Sequence, residues 1–293
     1  MIGVLESLKA TIPKALDIPF IQGKMQTIQV CLDPTTQEFY NLGIAFKSED
    51  SVSIKMLDHF ERIRSLFSDQ IDIDELTLFL QDIERELYIS RGEWPTSLFG
   101  HSVRLSEPRY ASADSEDSVM KEFYESQITF ARVKSRSKTI FRYKTTPTLR
   151  NDIFKYMKKS LGLRADKIIQ ETPFSITLNK RKFSIDIPLV SETAISGIAS
   201  AWYANPLIAK TELLQASMEL RVALSSIDSI EKAAISILRP SVGSGLNKKD
   251  FMKIDTEITK QVDLLNATGI KTMQGESIEE LSEATSNWWL NVA

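Results

Sequence analysis

The second half of the chain alternates short apolar runs with long amphipathic stretches, and this alternation limits most strongly what the chain can fold into. From Lys167 onward the pattern predicts strand, strand, strand, helix, strand, helix, strand, helix. The first of these long helices, residues 206–227, carries apolar side chains three and four positions apart. Strands that alternate with helices form a sheet whose faces the helices cover. We therefore expect a mixed sheet flanked by helices here.

The first half has a different pattern. Short apolar runs at residues 25–33, 39–46 and 52–57 are separated by polar turns, which is typical of an antiparallel sheet. The stretch "IDELTLFLQDIERELYI" follows with helical spacing, its apolar residues on one side and its acids on the other. Asp72 or Asp74 is suited to cap this helix, and Ser115 to cap a later one.

In the second half, Thr146 and Asn205 each precede a proline and are suited to cap two further helices. The first of these helices is expected to end at Gly162 and to carry one apolar stripe, which consists of Leu149, Ile153, Met157 and Leu161. The sequence thus predicts an α+β first domain before an α/β second domain.

Charge is strongly segregated along the chain, although the net charge is only -3. Residues 1–131 hold 12 Lys and Arg against 22 Asp and Glu, whereas residues 132–167 hold 12 against 2. Such a basic segment inside an acidic chain is the most unusual feature of the composition. We place the domain boundary there, which gives an acidic domain at 1–131, a basic linker at 132–146 and a second domain at 147–293.

The basic segment is the best candidate for a binding function. Lys and Arg neutralise phosphates, and aromatic side chains stack on exposed bases, so this composition suits nucleic acid. An acidic protein surface is the alternative partner, and a solvated linker or a dock for the acidic first domain would need no partner. The candidate binding residues are Arg132, Lys134, Arg136, Lys138, Arg142, Tyr143, Lys144, Arg150, Lys155, Lys158 and Lys159.

The stretch "VCLDPTTQEFYNLGIAF" resembles the start of an uncharacterised bacterial domain family, domain of unknown function 3037. The matching positions are Asp33, Pro34, Glu38, Asn41 and Gly43. Members of that family can lie beside HipA-like kinases or in mobile and defence-type loci. The resemblance implies a bacterial or phage regulatory protein, in anti-phage defence or a toxin–antitoxin system. A purely structural interpretation of the same residues is a bend that needs a polar side chain and a small residue.

The order of elements around "RKFSIDIPLVSETAISGIASAWYAN" resembles the αβββαβ core of the PD-(D/E)XK nuclease-like fold. In active members, an Asp on the second strand and a Glu-x-Lys on the third hold Mg²⁺ and orient the attacking water. Asp186 could be the first carboxylate, but no Asp or Glu in the chain has a Lys two positions later. The resemblance therefore implies a nuclease-like fold with a degenerate active site.

Two roles remain open for Asp186. It could be a structural acid at a strand end that pairs with Lys180 or Lys182 or caps a neighbouring turn. It could instead be the catalytic and metal-binding centre of a divergent Mg²⁺-dependent nuclease. In the nuclease, neighbouring elements would supply the missing groups. The candidates for those groups are Glu171, Lys182, Glu192 and Glu212.

Several other function classes lack their motifs. There is no Walker loop, no Gly-x-Gly-x-x-Gly and no Gly-x-Ser-x-Gly elbow, and the chain has only two histidines. One cysteine and the lack of a long apolar run favour a cytoplasmic protein. Trp288 and Trp289 are expected to seal the second core rather than to anchor a partner. Our leading hypothesis is a non-catalytic binding or regulatory protein without a cofactor, and the alternative is the divergent nuclease.

Overall fold

The computed structural model describes residues 21–49, 51–68, 70–94, 97–132, 141–170, 172–178 and 181–292. The chain divides into two compact units. The first unit comprises Met1–Lys55 and Arg91–Arg132, and the second comprises Met56–Ser90 and Val133–Ala293. Residues 56–90, which the sequence assigns to the first domain, therefore group with the second unit.

The part of the chain from residue 21 to residue 90 forms strands and then helices. These are β1 (Ile21–Asp33), β2 (Glu38–Lys47), β3 (Val52–Met56), α1 (Glu61–Phe67) and α2 (Ile73–Ile89). The cap of α2 is as predicted, since the Asp72 side chain accepts hydrogen bonds from the backbone N–H groups of Asp74 and Glu75. Leu76, Leu80, Ile83 and Leu87 of α2 are buried, which confirms the predicted apolar stripe.

The middle of the chain continues with short strands and then helices. These are β4 (Ser97–Leu98), β5 (Val103–Leu105), β6 (Arg109–Ala113), α3 (Glu116–Gln127), a 3-10 turn (Thr129–Ala131), α4 (Thr146–Leu161) and α5 (Leu163–Ile168). Ser115 caps α3 as predicted. The cap of α4 is Thr145, one residue before the predicted Thr146. Lys167 and Ile168, where the sequence predicts the start of a strand, end α5 instead, because Ala165 and Ile168 both turn into the core.

The remaining elements alternate between strands and helices. They are β7 (Phe174–Leu178), β8 (Arg181–Ile185), β9 (Leu189–Val190), β10 (Ala194–Ser200), α6 (Pro206–Ser226), β11 (Lys232–Leu238), α7 (Lys248–Ala267), β12 (Lys271–Gly275) and α8 (Ile278–Val292). Asn205 caps α6 and Pro206 opens it, as the sequence predicts.

The first unit is built on an antiparallel sheet with the order β3-β2-β1-β5-β4, and β6 pairs with the beginning of β1. Helix α3 packs against β2 and β6. Ile28, Val30, Leu42, Ile44 and Phe46, from the two central strands, are fully buried. The predicted antiparallel sheet with helices is confirmed.

The second unit is built on a mixed sheet with the order β12-β11-β10-β9, in which the first three strands are parallel and β9 is antiparallel. Helices α4 and α8 pack together, and so do α6 and α7. Side chains of α4, α5 and α8 form one buried cluster with the sheet, which includes Leu149, Ile153 and Trp289. The predicted mixed sheet flanked by helices is confirmed.

Trp289 is buried in this cluster, and Trp288 packs edge-on against it at 5.0 Å between ring centroids. The two tryptophans thus seal the second core, as expected.

The order of elements in the nuclease-like core is matched by α4, β7, β8, β10, α6 and β11, with α5 and β9 inserted. In the described residues, however, β7 and β8 pair only with each other, while β10 pairs with β9 and β11. None of the helices in the described part of the chain has the length and apolarity that a membrane crossing requires.

Candidate functional site

The predicted binding residues fall into groups with different surroundings. Lys134, Arg136 and Lys138 lie outside the described residues. Arg132 lies just beyond α3, where its guanidinium donates to the backbone oxygens of Glu125 (3.4 Å) and Ser126 (3.2 Å). Arg132 therefore satisfies carbonyl groups that the end of the helix leaves without intrahelical partners.

Tyr143, which the sequence offers as a stacking residue for a base, is a core residue in this structure. It is only 9% exposed, and its hydroxyl donates to the backbone oxygen of Leu57. Its ring stacks near Phe60 at 5.7 Å and near Tyr203 at 6.3 Å between centroids. The aromatic face that a base would need is thus covered by other side chains of the second unit.

The two cations beside Tyr143 also have internal contacts. Nη1 of Arg142 lies 2.8 Å and 3.0 Å from the two carboxylate oxygens of Asp58. Nζ of Lys144 lies 4.1 Å from the centroid of the Trp202 ring, and partial burial lowers the pKa of this lysine. Through these contacts Arg142, Tyr143 and Lys144 hold the last residues of the predicted basic linker against the rest of the second unit.

Arg150 and Asp186, predicted for two different functions, are partners. Nη1 and Nη2 of Arg150 lie 2.7 Å and 2.8 Å from Oδ1 and Oδ2 of Asp186. Both carboxylate oxygens are therefore occupied by one guanidinium, in the fork geometry that makes such pairs strong. Of the partners expected from the sequence, Lys180 lies outside the described residues and Lys182 is exposed.

A solvent-exposed cationic surface lies on α4 and α5, and we call it the basic face. On α4 the stripe of Leu149, Ile153 and Met157 points inward, so residues at the opposite positions of the helix turn to solvent. The basic face consists of the exposed residues Lys155, Lys158, Lys159, Arg164 and Lys167.

Within the described ranges, Lys159, Arg164 and Lys167 form no ion pair, so their charge is directed to solvent. Asp166 is the one acid in the stretch from Lys155 to Lys167. Arg164 and Lys167 were not among the predicted binding residues. Gly162 ends α4 as predicted, but α5 follows it where the sequence interpretation began a strand at Lys167. The signal that could have found them is the continuation of helical spacing through Ala165 and Ile168.

A second constellation lies inside the second unit, where carboxylates of α2 and α6 meet the beginning of α4. Glu84 is 1% exposed, and Oγ1 of Thr148 donates to its Oε1 at 2.5 Å. Oγ1 of Thr146 donates to Oε2 of the buried Glu212 at 2.5 Å. Arg85 approaches Oε1 of Glu212 at 3.7 Å. We call this set the buried carboxylate cluster.

Burial dominates the acidity of both carboxyl groups in the cluster. It raises the pKa of Glu84 to about 7, against the smaller opposing effects of the Thr145 and Thr148 hydroxyls. It also raises the pKa of Glu212, against the hydrogen bond from Thr146. Burial likewise raises the pKa of Tyr203 well above its usual value, with both carboxyl groups adding to the effect.

The sequence interpretation placed the acids of α2 on the solvent side, and Glu84 contradicts it. Glu84 lies four residues after Leu80 and three before Leu87, so its position belongs to the inward stripe. This helical spacing was the signal from which the burial of Glu84 could have been predicted. An acid at such a position needs buried hydrogen-bond donors, and these come from α4, more than 60 positions away along the chain.

The residues that carry the first resemblance, between positions 33 and 43, make structural contacts in and around the turn from β1 to β2. Oδ1 of Asp33 accepts from the backbone N–H of Thr35 at 2.8 Å. The Asn41 amide bridges two partners, because it accepts from Nε2 of Gln29 at 2.9 Å and donates to the oxygen of Gln127 at 3.3 Å. Gly43 is buried in β2 opposite Ile28. These contacts support the structural interpretation of the motif.

The described residues contain no group of three or more His, Cys, Asp or Glu side chains that could hold a metal ion. Of the groups that a migrated nuclease site would need, Glu171 lies outside the described residues, Lys182 and Glu192 are exposed, and Glu212 is buried. Asp186 shares its oxygens with Arg150 rather than with a second carboxylate. The described residues thus present an exposed cationic surface on α4 and α5 and a buried carboxylate cluster.

Neither protein-family models nor the curated proteins and solved structures searched give a match to this chain. The two resemblances of the sequence therefore stay hypotheses, and the function has to be argued from the residues.

Proposed function

We propose that the protein is a non-catalytic nucleic-acid-binding protein whose basic face contacts the phosphate backbone. The observation that carries the proposal is the set of solvent-directed cations on α4 and α5, of which Lys159, Arg164 and Lys167 have no ion-pair partner in the described ranges. Cations of this kind gain free energy by releasing the counterions that nucleic acid holds. The bacterial or phage regulatory setting implied by the first resemblance belongs to the same proposal.

We propose contact with phosphates rather than stacking on bases because Tyr143, the candidate stacking residue, is buried. Tyr143 is enclosed by Phe60 and Tyr203, so it offers no face to a base. Binding through cations alone is weakly selective for sequence and depends strongly on salt. We therefore expect affinity for single-stranded and duplex nucleic acid with little sequence preference.

Absence of catalysis is proposed because Asp186 has a complete structural role. Its ion pair with Arg150 leaves neither oxygen without a partner. The third strand of the nuclease-like order, β10, consists of "AISGIAS" and so offers no carboxylate and no lysine.

Fluorescence anisotropy with labelled single-stranded DNA, duplex DNA and RNA across a salt series tests the proposal. The test variant combines Lys159→Ala, Arg164→Ala and Lys167→Ala. The matched control combines Lys249→Ala, Lys253→Ala and Lys260→Ala on α7, where exposed lysines are interspersed with Asp250, Asp255 and Asp263. Both variants lose three positive charges, so they differ only in position.

We expect the test variant to bind roughly 100-fold more weakly at about 0.1 M salt, with a salt slope about two units smaller, while the control binds nearly as the wild type. Wild-type protein that does not bind, or equal losses in both variants, would contradict the proposal. Competition with poly-glutamate examines the alternative partner, an acidic protein surface. Displacement of nucleic acid by poly-glutamate at equal charge concentration would favour that alternative.

A further inference from the structure

The beginning of α4 is held to two other helices by hydroxyl–carboxyl contacts inside the second unit. Thr148 donates to Glu84 of α2, and Thr146 donates to Glu212 of α6. Because both threonines lie in the first turn of α4, that turn is the point where the buried carboxylate cluster joins the three helices. The contact between α2 and α4 thus depends on a side chain that can change its charge.

Some buried polar atoms in and around the buried carboxylate cluster have no hydrogen-bond partner among the described residues. Oε2 of Glu84 is buried and has no hydrogen-bond partner among the described residues. The same holds for the Tyr203 hydroxyl and for both amide atoms of Gln81, one turn before Glu84 on α2. A proton on Glu84 leaves that group neutral, whereas a negative charge there lacks compensation and is costly.

The charged groups around the two carboxyls have both signs and come from every helix that meets there. The cations are Arg85 of α2 and Arg150 of α4. The acids are Asp82 of α2, which acts on Glu212, and Asp152 of α4, which acts on Glu84. Glu219 of α6 interacts with the same two arginines, and Asp186 pairs with Arg150. Burial is the largest influence on the protonation state of Glu84, ahead of each of these charges.

We propose that the contact between α2 and the first turn of α4 is a proton-controlled latch, closed when Glu84 carries a proton and loosened when Glu84 is ionised. In the closed state the protonated carboxyl of Glu84 accepts a hydrogen bond from the Thr148 hydroxyl and is shielded from water. In the loosened state α2 and the first turn of α4 separate enough for water to hydrate the carboxylate. This device is independent of whether the basic face binds nucleic acid.

The working range of the latch follows from the burial of Glu84. Its pKa of about 7 in the closed state lies above the ordinary value of 4.5 that a hydrated carboxyl would have in the loosened state. The loosened state therefore gains population as pH rises from about 4.5 towards 7 and reaches a plateau above that range. Glu212 shares the direction of this effect, since burial also raises its pKa.

Hydrogen exchange of the backbone amides of α2 and of the first turns of α4, corrected for intrinsic base catalysis, tests the latch. Linkage between these two pKa values predicts a roughly tenfold rise in the open population between about pH 6 and pH 8.5. Glu84→Gln, a neutral side chain of the same shape, should abolish that rise. Thr148→Val removes a hydroxyl that stabilises the carboxylate, so it should move the rise to higher pH.

Glu86→Gln is the matched control, because Glu86 is an exposed acid on the same helix and its removal should leave the pH dependence as in the wild type. Wild-type exchange that does not vary with pH beyond the intrinsic rate, or a rise that persists in Glu84→Gln, would overturn the proposal. Glu212→Gln measures the share of the second carboxyl, and full loss of the rise in that variant alone would also overturn the assignment to Glu84.

Infrared spectroscopy of the wild type gives a readout that does not require any variant to fold. A carbonyl band of a protonated carboxylic acid should be present at about pH 6 and should vanish as pH passes through 7. A spectrum without that band at pH 6 would show that Glu84 is already ionised in the folded protein, which rules out the latch.

Discussion

Arg150 and Asp186 form a fork-shaped ion pair in which Nη1 lies 2.7 Å from Oδ1 and Nη2 lies 2.8 Å from Oδ2. The pair joins α4 to the chain just after β8. It therefore gives a structural role both to the acid that a nuclease would use to hold a metal ion and to a cation that was a candidate for binding phosphate.

We expect Asp186→Asn to lower the free energy of unfolding by about 1–3 kcal/mol, because it leaves a partly buried guanidinium without its charged partner. Urea denaturation of Asp186→Asn, Arg150→Met and the double variant would measure the coupling, with exposed Asp228→Asn as the control. No coupling between the two positions would contradict this role.

The same substitution tests the nuclease alternative. We expect neither the wild type nor Asp186→Asn to cleave plasmid DNA with Mg²⁺ or Mn²⁺, because both oxygens of Asp186 are held by Arg150. Metal-dependent cleavage by the wild type that disappears in Asp186→Asn would reverse this conclusion and make Asp186 a metal ligand.

Glu84 should make stability depend on pH in the direction opposite to that of a salt-bridged acid. Its folded pKa of about 7 lies above its ordinary value of 4.5, so the folded state binds the proton more tightly than the unfolded state. The stabilisation is fully present below about pH 4.5 and is lost as pH rises through 7. It amounts to about 3 kcal/mol. Denaturation from pH 5 to pH 8.5 should show this fall in the wild type and not in Glu84→Gln.

Tyr143 should matter for stability rather than for ligand binding. Tyr143→Phe removes the hydrogen bond to the Leu57 carbonyl and should cost about 1 kcal/mol, whereas Tyr143→Ala empties a packed site and should cost about 3–5 kcal/mol. Tyr110, which is 67% exposed, is a comparison residue, and Tyr110→Ala should change stability by less than about 0.5 kcal/mol. Thermal denaturation and anisotropy on Tyr143→Phe would check both points, and weaker nucleic-acid binding by a stably folded Tyr143→Phe would refute this assignment.

A Cβ at Gly275 would crowd the start of α8, because it would lie 3.0 Å from the Leu281 Cβ and 3.1 Å from its backbone nitrogen. Adding a methyl group would push the first turn of α8 away from the end of β12. We expect Gly275→Ala to cost about 1–3 kcal/mol. Gly243→Ala is the control, since a Cβ at that position meets nothing within 4 Å. Equal stability of the two variants in urea would show that α8 can shift freely.

Features that depend on a few neighbouring residues were predictable. The caps Asp72, Ser115 and Asn205 occur where the sequence places them, because an N-cap needs only its own side chain and the next backbone N–H groups. The apolar stripes of α2 and α4 and the types of the two main sheets, antiparallel and mixed, follow in the same way from periodicity. The pairing of individual strands does not, since β7 and β8 pair only with each other in the described residues.

The candidate sites were only partly predictable, because charge in a sequence does not reveal exposure. Lys155, Lys158 and Lys159 are exposed as expected, whereas Arg142 and Lys144 make internal contacts. Glu84, assigned to the solvent side, is buried with a hydroxyl partner from α4.

The sequence by itself determined the type of most elements, the caps Asp72, Ser115 and Asn205, and the concentration of positive charge in residues 132–167. The tertiary structure alone decided that residues 56–90 join the second unit, that Arg150 neutralises Asp186 and that Thr148 meets Glu84. The physical reason is the range of the interactions. Caps and apolar stripes form within one or two helical turns. The Arg150–Asp186 ion pair joins positions 36 residues apart and the Thr148–Glu84 hydrogen bond joins positions 64 residues apart, and local spacing does not encode such contacts.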